Sequence, residues 1–175
     1  MAVVIKQRQI VTDDTWRLFK PTADGSSSAV PAAGDIIVPL ALWLAQRAVL
    51  SSRAGRLGVW LDSHEEPGAI AADIGRFALI AVNFPQVGDG RGYSIARLLR
   101  ERYGYRGELR AIGEVVRDHL FFMASCGFDA FMLREGEDFA EALTAFDDFS
   151  DAYHTSVQQP LPLFRRRFAN GASRT

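Results

Sequence analysis

The stretch Gly88-Asp89-Gly90-Arg91-Gly92-Tyr93-Ser94 runs into Ile95-Ala96-Arg97-Leu98-Leu99-Arg100, a glycine-rich loop leading into a helix-forming segment. Backbone N–H groups at such a junction, with the positive end of the helix dipole, favour an anion. Arg91 sits in the loop, and an arginine fork recognises a phosphate, sulfate or carboxylate with two parallel hydrogen bonds. Arg91, Gly92 and Ser94 are therefore anion-binding candidates, with Ser94 as the expected helix cap. Arg110 interrupts the apolar run Leu109-Arg110-Ala111-Ile112, and Arg117 follows that run by about a helical turn. An unpaired buried charge is costly, so Arg110 must reach a partner or the rim of its sheet. Arg110 and Arg117 complete the anion-binding set. Asp89 and Tyr93 on the same loop, and Asp118 beside Arg117, are the catalytic candidates, because a positioned carboxylate or phenol can give or take a proton.

The spacing excludes the standard nucleotide motifs. A dinucleotide fingerprint needs glycine where Tyr93 stands, and a P-loop needs Gly-Lys-Ser/Thr. Cys126 is the only cysteine. It allows no internal disulfide and no cysteine-only cluster, and it closes a helix, where the dipole disfavours a thiolate. It reads as a packing residue. His64 lies in a polar loop beside Glu65 and Glu66, His119 in an apolar helix, and His154 near a helix end. No metal site is predicted from these three.

The elements that must position these residues follow a rhythm. Leu57-Gly58-Val59-Trp60-Leu61, Leu79-Ile80-Ala81-Val82-Asn83, Leu109 to Ile112 and Ala130 to Leu133 are short apolar runs, as expected of strands covered on both faces. Each precedes a helical segment: Pro67 to about Ile74, the stretch after Ser94, Glu114 to Cys126, and a last helix capped by Asp138 with Phe139, Leu143, Phe146 and Tyr153 inward. Four consecutive strand–helix units predict an α/β fold with a parallel sheet and right-handed crossovers. There are too few for a closed eight-stranded α/β barrel. The sheet is either half-barrel-like or small and open, and a half barrel would leave apolar edges that favour a homodimer. Upstream, Asp35 to Val38 reads as a short strand and Leu40 to Leu50 as a helix.

Three regions result. Residues 1–34 form an N-terminal β arm and flexible loop: Ala2 to Phe19 with a turn at Asp13-Asp14, then the Pro-, Gly-, Ser- and Ala-rich Pro21 to Gly34. Residues 35–157 form the α/β domain. Residues 158–175 form an irregular tail with the basic cluster Arg165-Arg166-Arg167. In parallel α/β folds ligands bind beyond the carboxyl ends of the strands. That rule selects Asp62, Ser63 and His64, then Asn83, the Gly88–Ser94 loop, Gly113 with Glu114, and Arg134 with Glu135.

Composition narrows the class further. At 175 residues and net charge −1 the chain suits one domain, with no electrostatic footprint for nucleic acid or an anionic membrane. Lys6 and Lys20 are the only lysines. The apolar run Ile36 to Leu50 is too short and too interrupted to span a bilayer. No secretory leader is apparent, and the expected location is the cytoplasm.

Several blocks together carry a family resemblance: Asp89 to Ser94 with Ala96 to Arg100, Gly107-Glu108-Leu109-Arg110-Ala111 with Gly113, Arg117-Asp118, and Gly127 to Phe131. In combination they resemble the bacterial domain of unknown function 934 family. Members of that family are encoded beside the haem sulfite/nitrite reductase and are often labelled oxidoreductases. The resemblance implies a role in assimilatory sulfite reduction, as an accessory protein or oxidoreductase, with the sulfite reductase haemoprotein as partner. It carries over no catalytic residues. A redox enzyme needs a redox centre, and the sequence holds no nicotinamide or flavin fingerprint, cysteine cluster or haem-attachment motif. No cofactor is predicted, although a non-covalent flavin stays compatible. The other reading is a small α/β enzyme or binding module for an oxyanion or phosphorylated metabolite.

Overall fold

The computed structural model of the chain describes residues 2–20, 30–148, 156, 157 and 161. Residues 21–29 of the expected loop, the helix positions Tyr153 and His154, and the cluster Arg165–Arg167 lie outside the described residues.

The apolar runs form strands where their composition requires it. Ile36–Pro39 is β4, Leu57–Leu61 β5, Leu79–Phe84 β6, Glu108–Gly113 β7 and Ala130–Phe131 β8. All five run parallel, in the order β4-β5-β6-β7-β8. Helices α1 (Leu40–Ser52), α2 (Arg91–Arg97), α3 (Leu120–Ser125) and α4 (Phe139–Thr144), with a 3₁₀ segment at Pro67–Arg76, fill the crossovers. The fold is therefore the expected α/β succession, extended upstream by the unit β4–α1.

Period-two alternation divides each strand between two faces. Val59, Val82, Ala111 and Phe131 join the large core under the helices. Ile37, Leu79, Ala81 and Ile112 point to the other, concave face, where Trp16 packs on them.

The first residues belong to the same sheet. Ala2–Lys6 (β1) and Gln9–Asp14 (β2) form an antiparallel hairpin, and β1 also pairs antiparallel with β8. Arg17–Leu18 (β3) pairs parallel with β4 at the opposite edge. The complete order is β2-β1-β8-β7-β6-β5-β4-β3. Laid flat, eight strands about 4.8 Å apart would separate the two edges by roughly 34 Å. Only Thr15 and Trp16 join β2 to β3, and three extended steps reach about 11 Å. The sheet must curl, and it does so into a half-barrel with the arm strapped across its open side. The edges on which an edge-to-edge homodimer would rest are taken by the chain's own β1 and β3.

Three local expectations need correcting. The hairpin turns at Gln7-Arg8 and not at Asp13-Asp14: both turn residues have positive φ (50° and 61°), and Asp14 lies within β2. Helix α2 starts at Arg91, so Ser94 falls inside it and does not cap it; Asp89 Oδ1 instead accepts the Arg91 N–H. A π turn at Leu98–Arg102 then adds a residue to the helical turn, which exposes Leu98 while Leu99 stays buried. The helix expected from Glu114 begins later, with a 3₁₀ turn at Arg117–His119. Glu114 to Val116 stays outside the helix, because Glu114 N–H donates to the Phe84 carbonyl and the Val115 carbonyl accepts from Arg134 N–H. Asp138 does cap α4, accepting from Ala140 and Glu141 N–H at 2.7 and 3.0 Å.

Beneath the strands' amino ends Asp35 holds Arg56 at 2.6 Å and accepts the Thr15 hydroxyl at 2.8 Å, which pins the arm to β4 and β5. The Arg56 guanidinium holds the Asp35 carboxyl well below the usual carboxylate range. A depressed folded-state pKa gives stability that is present above the unfolded value of about 4 and fades as pH falls below it. The Arg56 side of the pair is largely solvated, so the contribution is under about 1 kcal/mol. The stability difference between wild type and Asp35→Asn in urea unfolding should be constant near neutral pH and shrink progressively below about pH 4. A difference that does not change with pH would remove Asp35 from the acid response.

Among the described residues, no helix is long and apolar enough to cross a membrane.

Candidate functional site

The concave face and the carboxyl ends of the parallel strands meet at one mouth. Strand parity sends Trp60 of β5, Asn83 of β6 and Ile112 of β7 to this side, while Met132 follows β8 and Leu18 and Lys20 arrive from the far edge. With Gly113, Glu114, Arg134 and Glu135 they line a cavity of about 470 Å³. Its floor continues the small concave core, on which Leu18, Trp60 and Met132 pack.

The cavity's shape is held by backbone. Phe19 N–H donates to Ile37 carbonyl at 2.8 Å, and Met132 N–H to Ala111 carbonyl at 2.9 Å. Gly113 has φ +92°, and a Cβ there would lie 2.6 Å from Asn83 Oδ1. The strand end can therefore fold over Asn83 only with glycine at this position.

The polar groups differ in how far they are engaged. Asn83 Nδ2 donates to Asp62 Oδ1 at 3.0 Å. Trp60 Nε1 donates to Phe19 carbonyl at 3.3 Å. Arg134 Nε donates to Glu137 at 3.0 Å and its Nη1 lies 3.8 Å from Glu114. Lys20 is exposed and has no ion-pair partner among the described residues. The arrangement can bind and orient a small molecule between an apolar floor and a rim of mixed charge.

The residues singled out around the glycine loop do not line this mouth; they meet in separate pairs, Asp89 with Arg91 and Arg117 with Asp118. Arg91 closes on Asp89 through two hydrogen bonds of 2.9 and 2.7 Å at the surface, and this guanidinium holds the Asp89 carboxyl far below the usual range. Gly92 is buried against Phe84, whose ring would lie 2.6 Å from an added Cβ, so the glycine serves close packing. Ser94 is exposed. Tyr93 is half-buried, with its hydroxyl 3.3 Å from His119 Nδ1 and its ring edge-on to Phe122; burial raises its pKa. Arg110 lies wholly buried on the concave face of β7, directed to Glu108 and Asp14 at the closed end of the half-barrel. Arg117 binds Asp148 and Thr144 at 3.0 Å each and faces the exposed Asp118 at 3.5 Å. Arg117 and Asp118 border a separate surface cavity of about 400 Å³ with Arg134, Glu137 and Glu141.

The strand-end rule did reach Asn83, Gly113, Glu114, Arg134 and Glu135. It missed Leu18, Lys20, Trp60, Ile112 and Met132. Trp60 carried a usable signal, because alternation in Leu57–Leu61 puts it opposite Val59. Lys20 carried none, since its place depends on a strand pairing with the far edge.

Residues 58–164 match the model of a family described as bacterial protein of unknown function, DUF934. The chain belongs to this family. No curated protein matches it. The matched span of this DUF934 chain begins in β5 and includes most of the mouth, with Trp60, Asn83, Ile112 to Glu114, Met132, Arg134 and Glu135 inside it and Leu18 and Lys20 outside. Among the described residues, no group of three or more His, Cys, Asp and Glu side chains is placed to hold a metal ion.

Proposed function

We propose that this DUF934 protein is a small-molecule-binding accessory protein of assimilatory sulfite reduction, working in the cytoplasm beside the sulfite reductase haemoprotein. One observation carries the binding reading: a cavity of about 470 Å³ stands at the carboxyl ends of the parallel strands, where α/β proteins bind their ligands. The pathway comes from the family resemblance of the blocks between Asp89 and Phe131. The ligand would be an oxyanion or a metabolite that carries one.

Two measurements test the two halves. In a thermal-shift series with sulfite, sulfate, phosphate, nucleotides and flavins, at least one should raise the melting temperature in a saturable way. By mass action, a ligand at a hundred times its Kd adds about 2.7 kcal/mol. No shift with any of them sinks the binding reading. Co-purification with the reductase, and impaired sulfite reduction in cells lacking this chain, are expected of an accessory protein. Normal sulfite reduction without it sinks the pathway.

A further inference from the structure

We propose that the mouth cavity takes an organic anion, a carboxylate or phosphate on an apolar or aromatic body, in preference to a bare inorganic oxyanion. This rests on the mouth being a ligand site, as proposed above. Three observations carry it. The first is the apolar floor of Leu18, Trp60, Ile112 and Met132, continuous with the concave core. The indole N–H of Trp60 is already bonded to Phe19, so the ring offers the cavity its carbon surface. The second is size. A space of about 470 Å³ falls in the range that encloses organic ligands, roughly 300–1,000 Å³. A bare oxyanion would leave those apolar walls in water, and their burial is the main driving force such a floor can provide. The third is charge. The rim sets Lys20 and Arg134 against Glu114 and Glu135; Arg134 is held by Glu137 at 3.0 Å and faces Glu114 at 3.8 Å, whereas Lys20 has no carboxylate partner among the described residues. Lysine is a mobile point charge, and here it is the group left to meet the ligand's anionic end.

The test uses the full chain and matched probes: phenyl phosphate against inorganic phosphate, and benzoate against acetate. Trp16 and Trp43 are 6% and 0% exposed while Trp60 is half-buried, so tryptophan emission reports the mouth, with calorimetry as the second readout. The aromatic member of at least one pair should bind roughly tenfold or more tightly than its simple counterpart. The pair that responds identifies the anionic end. Lys20→Ala, at an exposed position, should weaken that binding about tenfold, the scale of one hydrogen bond to a charged group. Met132→Glu should abolish it with the melting temperature within a few degrees of wild type. Equal affinity for the simple and aromatic anions, or no effect of Lys20→Ala, overturns the organic-anion assignment and leaves a ligand-binding mouth standing. Undiminished binding in Met132→Glu moves the ligand elsewhere and overturns both. Failure of every aromatic anion to bind overturns this inference, whatever the inorganic ions do.

Discussion

Arg110→Ala is expected to destabilise the protein by about 3–5 kcal/mol, the scale observed when one partner of a buried ion pair is removed. For a chain of this length that is roughly 10 °C in melting temperature. Arg110 is fully buried, and its fork binds Asp14 at 2.8 and 3.0 Å, while Nε binds Glu108 at 2.8 Å. Lys6 holds the other Glu108 oxygen at 2.6 Å. Burial alone would lower the arginine's pKa, but the two carboxylates outweigh it and hold that pKa above its ordinary value. Alanine leaves Asp14, 8% exposed, charged and unpaired, and it cuts the tie between β2 and β7, with Lys6–Glu108 as the hairpin's remaining ion pair to that strand. The comparison that isolates this cause is the triple variant Arg110→Met, Asp14→Leu, Glu108→Leu. It removes the charges together and should regain most of the loss, because well-packed apolar replacement of a buried ion pair is often neutral. If Arg110→Ala unfolds in urea at the wild-type midpoint, the cluster does not hold the arm.

The same cluster explains what local reading could and could not reach. Leu57–Leu61 reads directly as a strand, because five residues that are nearly all apolar fit a sheet covered on both faces. Asp138 reads as a cap, because its chemistry is contained within three residues. Both are local arguments. Arg110 demands a partner from sequence alone, and Glu108 stands two residues away, but the second partner, Asp14, lies 96 residues away on a hairpin turned by Gln7-Arg8. Neither turn residue is a type that favours positive φ, so nothing nearby announces where that hairpin bends. The mouth divides in the same manner. Asn83, Gly113, Glu114, Arg134 and Glu135 follow from strand ends once the sheet is known to be parallel. Lys20 does not, because β3 reaches the edge at β4 only when the whole sheet curls. An arginine-rich loop attracts attention as an anion site while its acid partners are unknown. Once Asp89 is seen to close on Arg91, the loop's charge is balanced and its glycine is a packing device against Phe84.

Arg100→Ala should be nearly as damaging as the loss of Arg110, by about 3 kcal/mol or more, although Arg100 belongs to the same block as the exposed Arg91. Its side chain is 9% exposed. It donates to the carbonyls of Gly127 at 2.9 Å, Tyr105 at 2.9 Å and Gly107 at 2.8 Å, and to Asp129 at 2.8 Å. Asp129 in turn accepts the Leu109 N–H at 2.8 Å. One guanidinium thus ties the π turn to the entry of β7 and to the turn before β8. Truncation leaves several acceptors short of a donor, and each unsatisfied buried group costs about 1–3 kcal/mol before relaxation. Arg100→Lys should recover only part, because a single ammonium cannot span acceptors that the planar fork reaches together. Arg91→Ala removes one guanidinium that is 62% exposed from the 9% exposed Asp89, and should lower the urea midpoint far less than Arg100→Ala does. The contrast matters for reading this family. Arg100, Gly107, Arg110, Gly127 and Asp129 all lie in the resembling blocks, and all serve the closed end of the half-barrel, where α/β barrels keep stability apart from chemistry. Equal midpoints for Arg100→Ala and Arg91→Ala would break that division, and the glycine-loop block would again be the place to look for a ligand.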